Sequence, residues 1–217
     1  MKNSQGSTKI AAAAVLTAAA CFAGQAGASL MDLAPAGALL DLNGQPLPLD
    51  YAQYSASFVA SGSATAIAFA FRDDPAFIYF DNASVVDLSA PGVNLIQNGG
   101  FESGLAGWNY YNPSGAAYGG SVDCSGMGAG GSNCAWMDGA LGAYDGIGQT
   151  IHTTAGHSYL LSFSATDTSG NDYWSTFSDI AAYANAAPVA STIPEPASLA
   201  LVGLGLAALT LGRRRRR

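Results

Sequence analysis

The sequence predicts an all-β body built as an antiparallel β-sandwich, flanked by one helix at each end of the chain. Short runs that alternate apolar with small or polar residues recur between residues 51 and 186, and turns rich in Gly, Asn, Asp and Ser separate them. No convincing amphipathic helix interrupts these runs. Because each strand has one apolar face, two sheets packed together are the arrangement that buries those faces.

The first 28 residues have the pattern of a cleaved signal peptide with a signal helix. Two lysines precede an apolar run at residues 10–23, and Ala26 and Ala28 then form a small-x-small site, which predicts cleavage by signal peptidase after Ala28. The apolar run is shorter than the ~20 residues of a membrane-spanning helix, which disfavours an uncleaved anchor. A lipoprotein signal at Cys21 is disfavoured because the usual Leu three residues earlier is absent.

The body is predicted to span residues 51–186, between linkers at 29–50 and 187–193. Strands are predicted at 54–60, 64–71, 76–80 and 83–88 in its first half, and at 135–137, 146–152 and 158–165 in its second half. Turn residues such as Asp73, Asp74 and Pro75 separate consecutive strands.

The C-terminal residues 194–217 combine a short motif, an apolar run and a basic tail. Thr192 and Glu195 have the spacing of a capping box, and Pro194 and Pro196 are tolerated in a first helical turn. The segment from residue 194 to residue 212, which is uncharged from residue 197 onwards, is about 28 Å long as a helix, close to the ~30 Å of the bilayer hydrocarbon. A transmembrane helix is therefore predicted, with its basic tail on the cytoplasmic side.

This terminal segment resembles the PEP-CTERM sorting signal of Gram-negative bacteria. The resemblance is carried by Pro194, Glu195 and Pro196, by the short span, and by the terminal residues Arg213, Arg214, Arg215, Arg216 and Arg217. It implies that an exosortase recognises the motif and cleaves near it. It also implies a precursor anchored in the inner membrane, which then reaches the cell surface or the medium, often in cells that produce exopolysaccharide.

The charge and the cysteines of the exported segment agree with an extracellular location. Residues 29–193 carry fourteen acidic residues and a single basic residue, Arg72, which gives a net charge of −13. Such a surface repels phosphate backbones, so no nucleic-acid partner is expected. After the leader is removed, Cys124 and Cys134 remain, and they are predicted to form one disulfide that closes a glycine-rich loop.

Two stretches resemble jelly-roll, galactose-binding-like domains such as many carbohydrate-binding modules. Residues 94–104 with Trp108 resemble the opening of those domains, residues 149–151 and 156–163 resemble inner strands, and residues 74–85 resemble the closing strand. The closing half, 51–88, precedes the opening half, 94–183. The halves are either one circularly permuted sandwich or two truncated copies; we favour the first, because about 60 residues alone bury too little surface to be stable.

The second resemblance also implies a metal site. In such domains the Glu of the opening motif and the Asp of the closing strand help to hold a structural calcium ion, and these map onto Glu102 and Asp81. The alternative is that Glu102 only accepts backbone hydrogen bonds. The oxygen-rich run 167–172 lacks a downstream Glu and is interpreted as an ordinary turn. No cofactor is required by the sequence.

Adjacent aromatic residues are the candidates for ligand contact. Tyr110 with Tyr111, and Tyr173 with Trp174, would each point one ring inward and one outward on a strand, where a ring can stack on a sugar. His152 lies in no nucleophile motif, and neither does His157, so the chain is not expected to be an enzyme. Two hypotheses follow: a structural surface or matrix protein associated with exopolysaccharide, or a carbohydrate-binding module that recognises it.

Overall fold

The computed structural model describes residues 34–42, 47–167 and 177–186. Within them, ten strands form two five-stranded sheets, and one short 3-10 turn occurs at Ala129–Gly131. The strands are β1 (Leu40–Asp41), β2 (Ala52–Val59), β3 (Ala64–Asp74), β4 (Ile78–Asp87), β5 (Asn109–Tyr111), β6 (Ser121–Asp123), β7 (Ala135–Asp138), β8 (Asp145–His152), β9 (Ser158–Asp167) and β10 (Phe177–Ala186).

All strand pairs of these residues are antiparallel, and the two sheets draw on both halves of the chain. Sheet A has the order β1-β10-β3-β8-β5, and sheet B has the order β2-β9-β4-β7-β6. Thus β3 lies between β10 and β8, and β4 lies between β9 and β7. The predicted all-β, antiparallel two-sheet sandwich is confirmed, and the two segments 52–87 and 109–186 build it together, an architecture consistent with a jelly roll.

The core between the sheets is dominated by aromatic side chains. Phe69 of sheet A contacts Phe80 of sheet B with 4.6 Å between ring centroids, and Phe80 contacts Phe163 at 5.1 Å. All three are completely buried. Aromatic pairs contribute beyond their buried area, so this cluster holds the two sheets together.

A second, smaller apolar cluster lies on the outer face of sheet A. It consists of Ala68, Ala70, Ala181 and Tyr183, and Ala34 and Ala38 of the N-terminal segment pack against it. Because this segment covers the sheet, the central strands β3 and β10 are buried on both faces. Their buried residues therefore lack the alternation that marks a strand with one solvated face.

The segment with the opening motif docks on the closing strand β4. Asn94 Oδ1 accepts hydrogen bonds from the backbone N–H groups of Val85 and Ile96, both at 3.0 Å, and Asn94 Nδ2 donates to the Ala83 carbonyl. The backbone at Gly99 approaches so closely that a Cβ there would lie 2.0 Å from the Ala83 oxygen. The two stretches that resemble jelly-roll domains are thus in direct contact.

Some predicted elements differ from the structure or lie outside it. The runs 76–80 and 83–88 form one strand, β4, with a register shift between Asp81 and Ser84, where Asn82 has a φ of 53°. Strands β1, β5, β6 and β10 were not predicted. Among the described residues no helix is long and apolar enough to cross a membrane, and both predicted terminal helices lie outside those residues.

Candidate functional site

The segment 124–134 between β6 and β7 is a loop that is anchored at several points. The predicted disulfide is present and joins Cys124 to Cys134 at the two ends of this loop. Tyr51, just before β2, donates its hydroxyl to the Met127 carbonyl at 2.7 Å. The loop is therefore tied covalently at its base and by a hydrogen bond at its middle.

Asp81 and Glu102, which we call the anchor site, hold the same loop from the body. Asp81 Oδ2 accepts from the Ala129 N–H at 2.7 Å and from the Ser132 hydroxyl at 2.8 Å, and Oδ1 accepts from the Asn82 N–H at 2.6 Å. Glu102 Oε1 accepts from the backbone N–H groups of residues 133 and 134, both at 2.8 Å. The structure therefore brings the two predicted metal ligands to one loop.

The electrostatics of Asp81 reflect two opposing influences. Burial raises the pKa of this carboxyl, and the negative charge of Glu102 raises it further. The hydrogen bonds from Asn82, Ser132 and Ala129 act in the opposite direction because they favour the charged form. The donors are what make a carboxylate tolerable at a completely buried position.

The donor geometry of the anchor site does not fit calcium. A calcium ion takes six to eight oxygen ligands, whereas N–H and O–H donors point at both oxygens of Asp81 and at one oxygen of Glu102. Within the described part of the chain, no group of three or more His, Cys, Asp or Glu side chains could hold a metal ion. The arrangement fits the alternative stated for Glu102, the acceptance of backbone hydrogen bonds.

Removal of the disulfide is expected to cost about 2–3 kcal/mol of unfolding free energy, because the reduced loop regains conformational entropy in the unfolded chain. The change is Cys124→Ser together with Cys134→Ser, and urea unfolding of the oxidised wild type and of the double variant measures the loss. Unfolding of the wild type under reducing conditions is the matched control and should reproduce the variant. Equal midpoints for all three would show that the anchor site alone orders the loop.

Asp138 and Asp145, which we call the acid pair, lie at the two ends of the connection from β7 to β8. Both residues are completely buried, and their carboxyl groups are within hydrogen-bonding reach of each other. Burial raises the pKa of Asp138 well above its usual range, and the charge of Asp145 raises it further. The pair therefore keeps one proton under conditions in which a solvated Asp has lost its own.

The surroundings of the acid pair show where that proton is needed. Asp145 Oδ2 accepts from the Tyr110 hydroxyl at 2.7 Å and from the Gly120 N–H at 3.0 Å. Asp138 accepts from Trp136 Nε1 at 3.0 Å and from the Ala140 N–H at 2.9 Å. Among the described residues no donor reaches Asp145 Oδ1. Because the carboxyl of Asp138 is within hydrogen-bonding reach of Asp145, we infer that the two carboxyl groups share the proton.

A Ser, a His and an Asp meet on the surface near the start of β9. His157 Nδ1 lies 2.8 Å from Asp87 Oδ2 and 3.2 Å from the Ser89 hydroxyl, which donates to Asp87 Oδ1 at 2.6 Å. A catalytic triad needs the Ser on one ring nitrogen and the Asp on the other, whereas here both face Nδ1. Hydrogen bonds from Ser89 and His157 hold the pKa of Asp87 well below its usual range.

Tyr110 and Tyr111, which are adjacent in the sequence, have different surroundings in the structure. Tyr110 is 38% exposed, but its hydroxyl is bonded to Asp145 and its ring lies 5.8 Å from that of Trp136. Tyr111 packs against the outer-face cluster of sheet A. Tyr173 and Trp174 lie outside the described residues.

Several residues at these sites were not predicted from sequence. The acid pair, the contact of Asp87 with His157, and the exposed ring of Phe77 are examples. Only the ring of Phe77 could have been detected, because this residue follows Pro75 in a turn segment. The others depend on contacts between residues far apart in the chain.

The C-terminus carries the feature that known proteins share with this chain. The described body is a disulfide-bonded β-sandwich, and residues 192–217, which follow it, match the family model of the PEP-CTERM protein-sorting motif. The match includes all the residues predicted for sorting, from Pro194 to the five terminal arginines, and it indicates exosortase-dependent sorting of an exported, membrane-passing precursor. No curated protein and no solved structure matches the chain. The sorting residues and the signal-cleavage residues Ala26 and Ala28 lie outside the described residues.

Proposed function

We propose that this chain is a non-catalytic surface or matrix protein of a Gram-negative bacterium, associated with exopolysaccharide and delivered by an exosortase. The match of residues 192–217 to the sorting motif is the single observation that carries the proposal. A signal peptide starts export, the C-terminal helix holds the precursor in the inner membrane, and cleavage near Pro194 then frees the body for the cell surface or the medium.

The body has properties that suit a permanent place outside the cell. Its disulfide forms in oxidising compartments, and its loops are fixed by side-chain hydrogen bonds such as the buried one of Asp81 and the partly buried one of Asn94. The net charge of −13 for residues 29–193 keeps neighbouring copies from associating nonspecifically. These features support a durable structural module.

The contacts of the acidic and histidine side chains support the absence of catalysis. The acid pair is completely buried, so it cannot flank a bond of a polysaccharide substrate as two glycosidase carboxylates do. In the cluster of Asp87, Ser89 and His157, no base is positioned to remove the hydroxyl proton and pass it on. We therefore propose that the chain binds or scaffolds rather than reacts.

Replacement of Pro194, Glu195 and Pro196 by Ala is expected to abolish processing and leave the chain in the membrane fraction at precursor mass, because the exosortase no longer recognises its substrate. Mass spectrometry and immunoblots of membrane, surface and medium fractions measure the outcome. Deletion of residues 213–217 should have the same effect. Pro188→Ala, in the linker, is the matched control and should be processed normally; unchanged release of the motif variants would refute exosortase sorting.

A carbohydrate-binding module is the second candidate function. Exposed aromatic rings beside a cleft, described below, favour it, because flat apolar faces next to polar groups are what sugar recognition uses. Retention of the protein on polysaccharide gels separates a binding module from a purely structural one.

A further inference from the structure

A cleft of about 280 Å³ lies at the end of the sandwich where β3 turns into β4 and β7 leads into β8. It is lined by Pro75, Ala76, Phe77, Tyr118, Gly139 and Leu141. Tyr118 is 73% exposed, more than any other large apolar side chain that the structure describes, and Phe77 is 42% exposed. We call this the end cleft.

The two rings of the end cleft stand on backbone that is held in place. The Phe77 ring rests on the backbone of Gly139, where a Cβ would lie 2.5 Å from ring atom Cε1. The chain before Tyr118 is fixed by the hydrogen bond from the Leu141 N–H to the Ala117 carbonyl at 2.9 Å. The chain after it is fixed by the bond from Gly120 to the acid pair. The aromatic surface is therefore preorganised.

The backbone of Tyr118 is strained, and packing in the core does not offset the energetic cost. Its φ of 55° lies in the left-handed region, which costs a residue with a bulky side chain on the order of 1 kcal/mol or more. The side chain is 73% exposed to solvent, so it makes little contact within the chain. A strained position that presents an exposed aromatic ring beside a cleft points to a contact outside the chain.

We infer that the end cleft binds one neutral pyranose ring of a polysaccharide. This inference rests on the proposed association with exopolysaccharide and makes it more specific. Two aromatic side chains provide apolar surface for the C–H face of a sugar, and the volume is at the small end of ligand pockets, which suits one ring better than a long peptide. The net charge of −13 over residues 29–193 disfavours uronic-acid or phosphate-bearing glycans. The ligand is therefore uncharged.

The test measures affinity of the full-length exported protein for glucan, xylan, mannan and galactan, for alginate, and for the polysaccharide of the producing cells. Affinity electrophoresis and titration calorimetry should show binding to a neutral polymer and none to alginate. Phe77→Ala and Tyr118→Gly should each weaken it at least tenfold. Tyr118→Gly should also be as stable as the wild type or more so, because Gly relieves the left-handed strain, a result that a merely structural Tyr would not give.

Val59→Ala is the matched control, since Val59 is 64% exposed and lies on β2, outside the end cleft; its binding should be unchanged. Gly139→Ala should weaken binding by displacing the Phe77 ring. Retention of full affinity by Phe77→Ala and Tyr118→Gly, or preference for alginate, would overturn the inference. The absence of binding to every polymer would also overturn the inference. It would not contradict exosortase sorting, because mass spectrometry of the processed chain tests sorting separately.

Discussion

Replacement of Asp81 by Ala is expected to lower the free energy of unfolding by about 3 kcal/mol, one of the largest losses from any single polar side chain of this body. Asp81 is completely buried and accepts three hydrogen bonds, from Asn82, Ala129 and Ser132. Truncation removes the acceptor of the Asn82 and Ala129 N–H groups, whereas the Ser132 hydroxyl can still donate to the Ala129 carbonyl at 3.1 Å. The Ala129 N–H has no route to water because its bond to Asp81 is buried. Urea unfolding at neutral pH under oxidising conditions measures the loss.

Glu102→Gln is the matched control for Asp81→Ala. Both backbone donors of the loop use the same oxygen, Oε1, so the amide of Gln can keep them with its carbonyl, and a loss below about 1 kcal/mol is expected. Addition of EDTA should leave the unfolding midpoint of the wild type unchanged, because the donors of the anchor site are N–H and O–H groups. A midpoint that falls with EDTA and returns with calcium would show that the site binds the ion.

The sequence was informative where strands have one apolar face. β2, β8 and β9 were predicted within a few residues. Burial alternates along β2 and along most of β9, whereas most of β8 is buried. The break predicted at Asp81 and Asn82 is a register shift within β4, since Asn tolerates the left-handed backbone of a bulge. Polar turn residues in a sequence do not distinguish a bulge from the end of a strand.

Strand β10 shows why other elements were missed. Its sequence, Phe177–Ala186, is rich in alanine, which has low strand propensity, and it has no regular alternation. It is nevertheless a central strand of sheet A, paired with both β1 and β3. The outer-face cluster buries its second side, so tertiary packing overrides the weak local preference.

The candidate sites, like the strands, were predicted only in part from the sequence. The resemblance to jelly-roll domains predicted that Asp81 and Glu102 act together, and in the structure both accept hydrogen bonds from the loop 124–134. The acid pair had no local signal, because its carboxyl groups meet only when β7 in one sheet is followed by β8 in the other. Tyr110 donates its hydroxyl to Asp145. From the sequence it was predicted to contact sugar, because Tyr111 lies next to it.

Asp145→Asn is expected to stabilise the protein at neutral pH and to reduce a pH dependence of its stability. An Asn carbonyl can keep the hydrogen bonds from Tyr110 and Gly120, and its amide nitrogen takes the position of Oδ1, which no donor reaches in the wild type. The carboxyl of Asp138 is within hydrogen-bonding reach of residue 145, so we expect it to accept this N–H. The substitution thus replaces a proton that the pair must bind by an N–H that is always present.

The sign of the effect follows from the raised pKa of Asp138, caused first by burial and then by Asp145. Above about pH 4 an Asp in the unfolded chain has lost its proton, whereas the folded pair keeps one. The unfolded state then binds fewer protons, so the wild type loses stability as the pH rises from about 4 through the folded pKa, by up to about 1.4 kcal/mol per pH unit. In Asp145→Asn, the added donor and the lost charge bring the pKa of Asp138 down while its burial remains, so this loss becomes smaller.

Urea unfolding of the wild type and of Asp145→Asn between pH 4 and pH 8 measures the difference directly. Hydrogen bonds from Tyr79 and Ser125 lower the pKa of Asp123, and those from Ser89 and His157 lower that of Asp87. These two groups stabilise the fold at higher pH in both proteins, so their contribution cancels in the comparison. The two stability curves should nearly coincide at pH 4 and diverge in favour of the variant as the pH rises.

Asp138→Asn is the matched control, because the two members of the pair are not equivalent. Both oxygens of Asp138 accept donors, from Trp136 and from Ala140, so an amide at this position places an N–H against another N–H in the interior. This variant should be destabilised across the whole pH range, by roughly 2 kcal/mol. Parallel curves of stability against pH for wild type and Asp145→Asn would mean that the pair shares no proton. Equal effects of the two substitutions would mean the same, because only a shared proton makes the stability depend on which carboxyl is replaced.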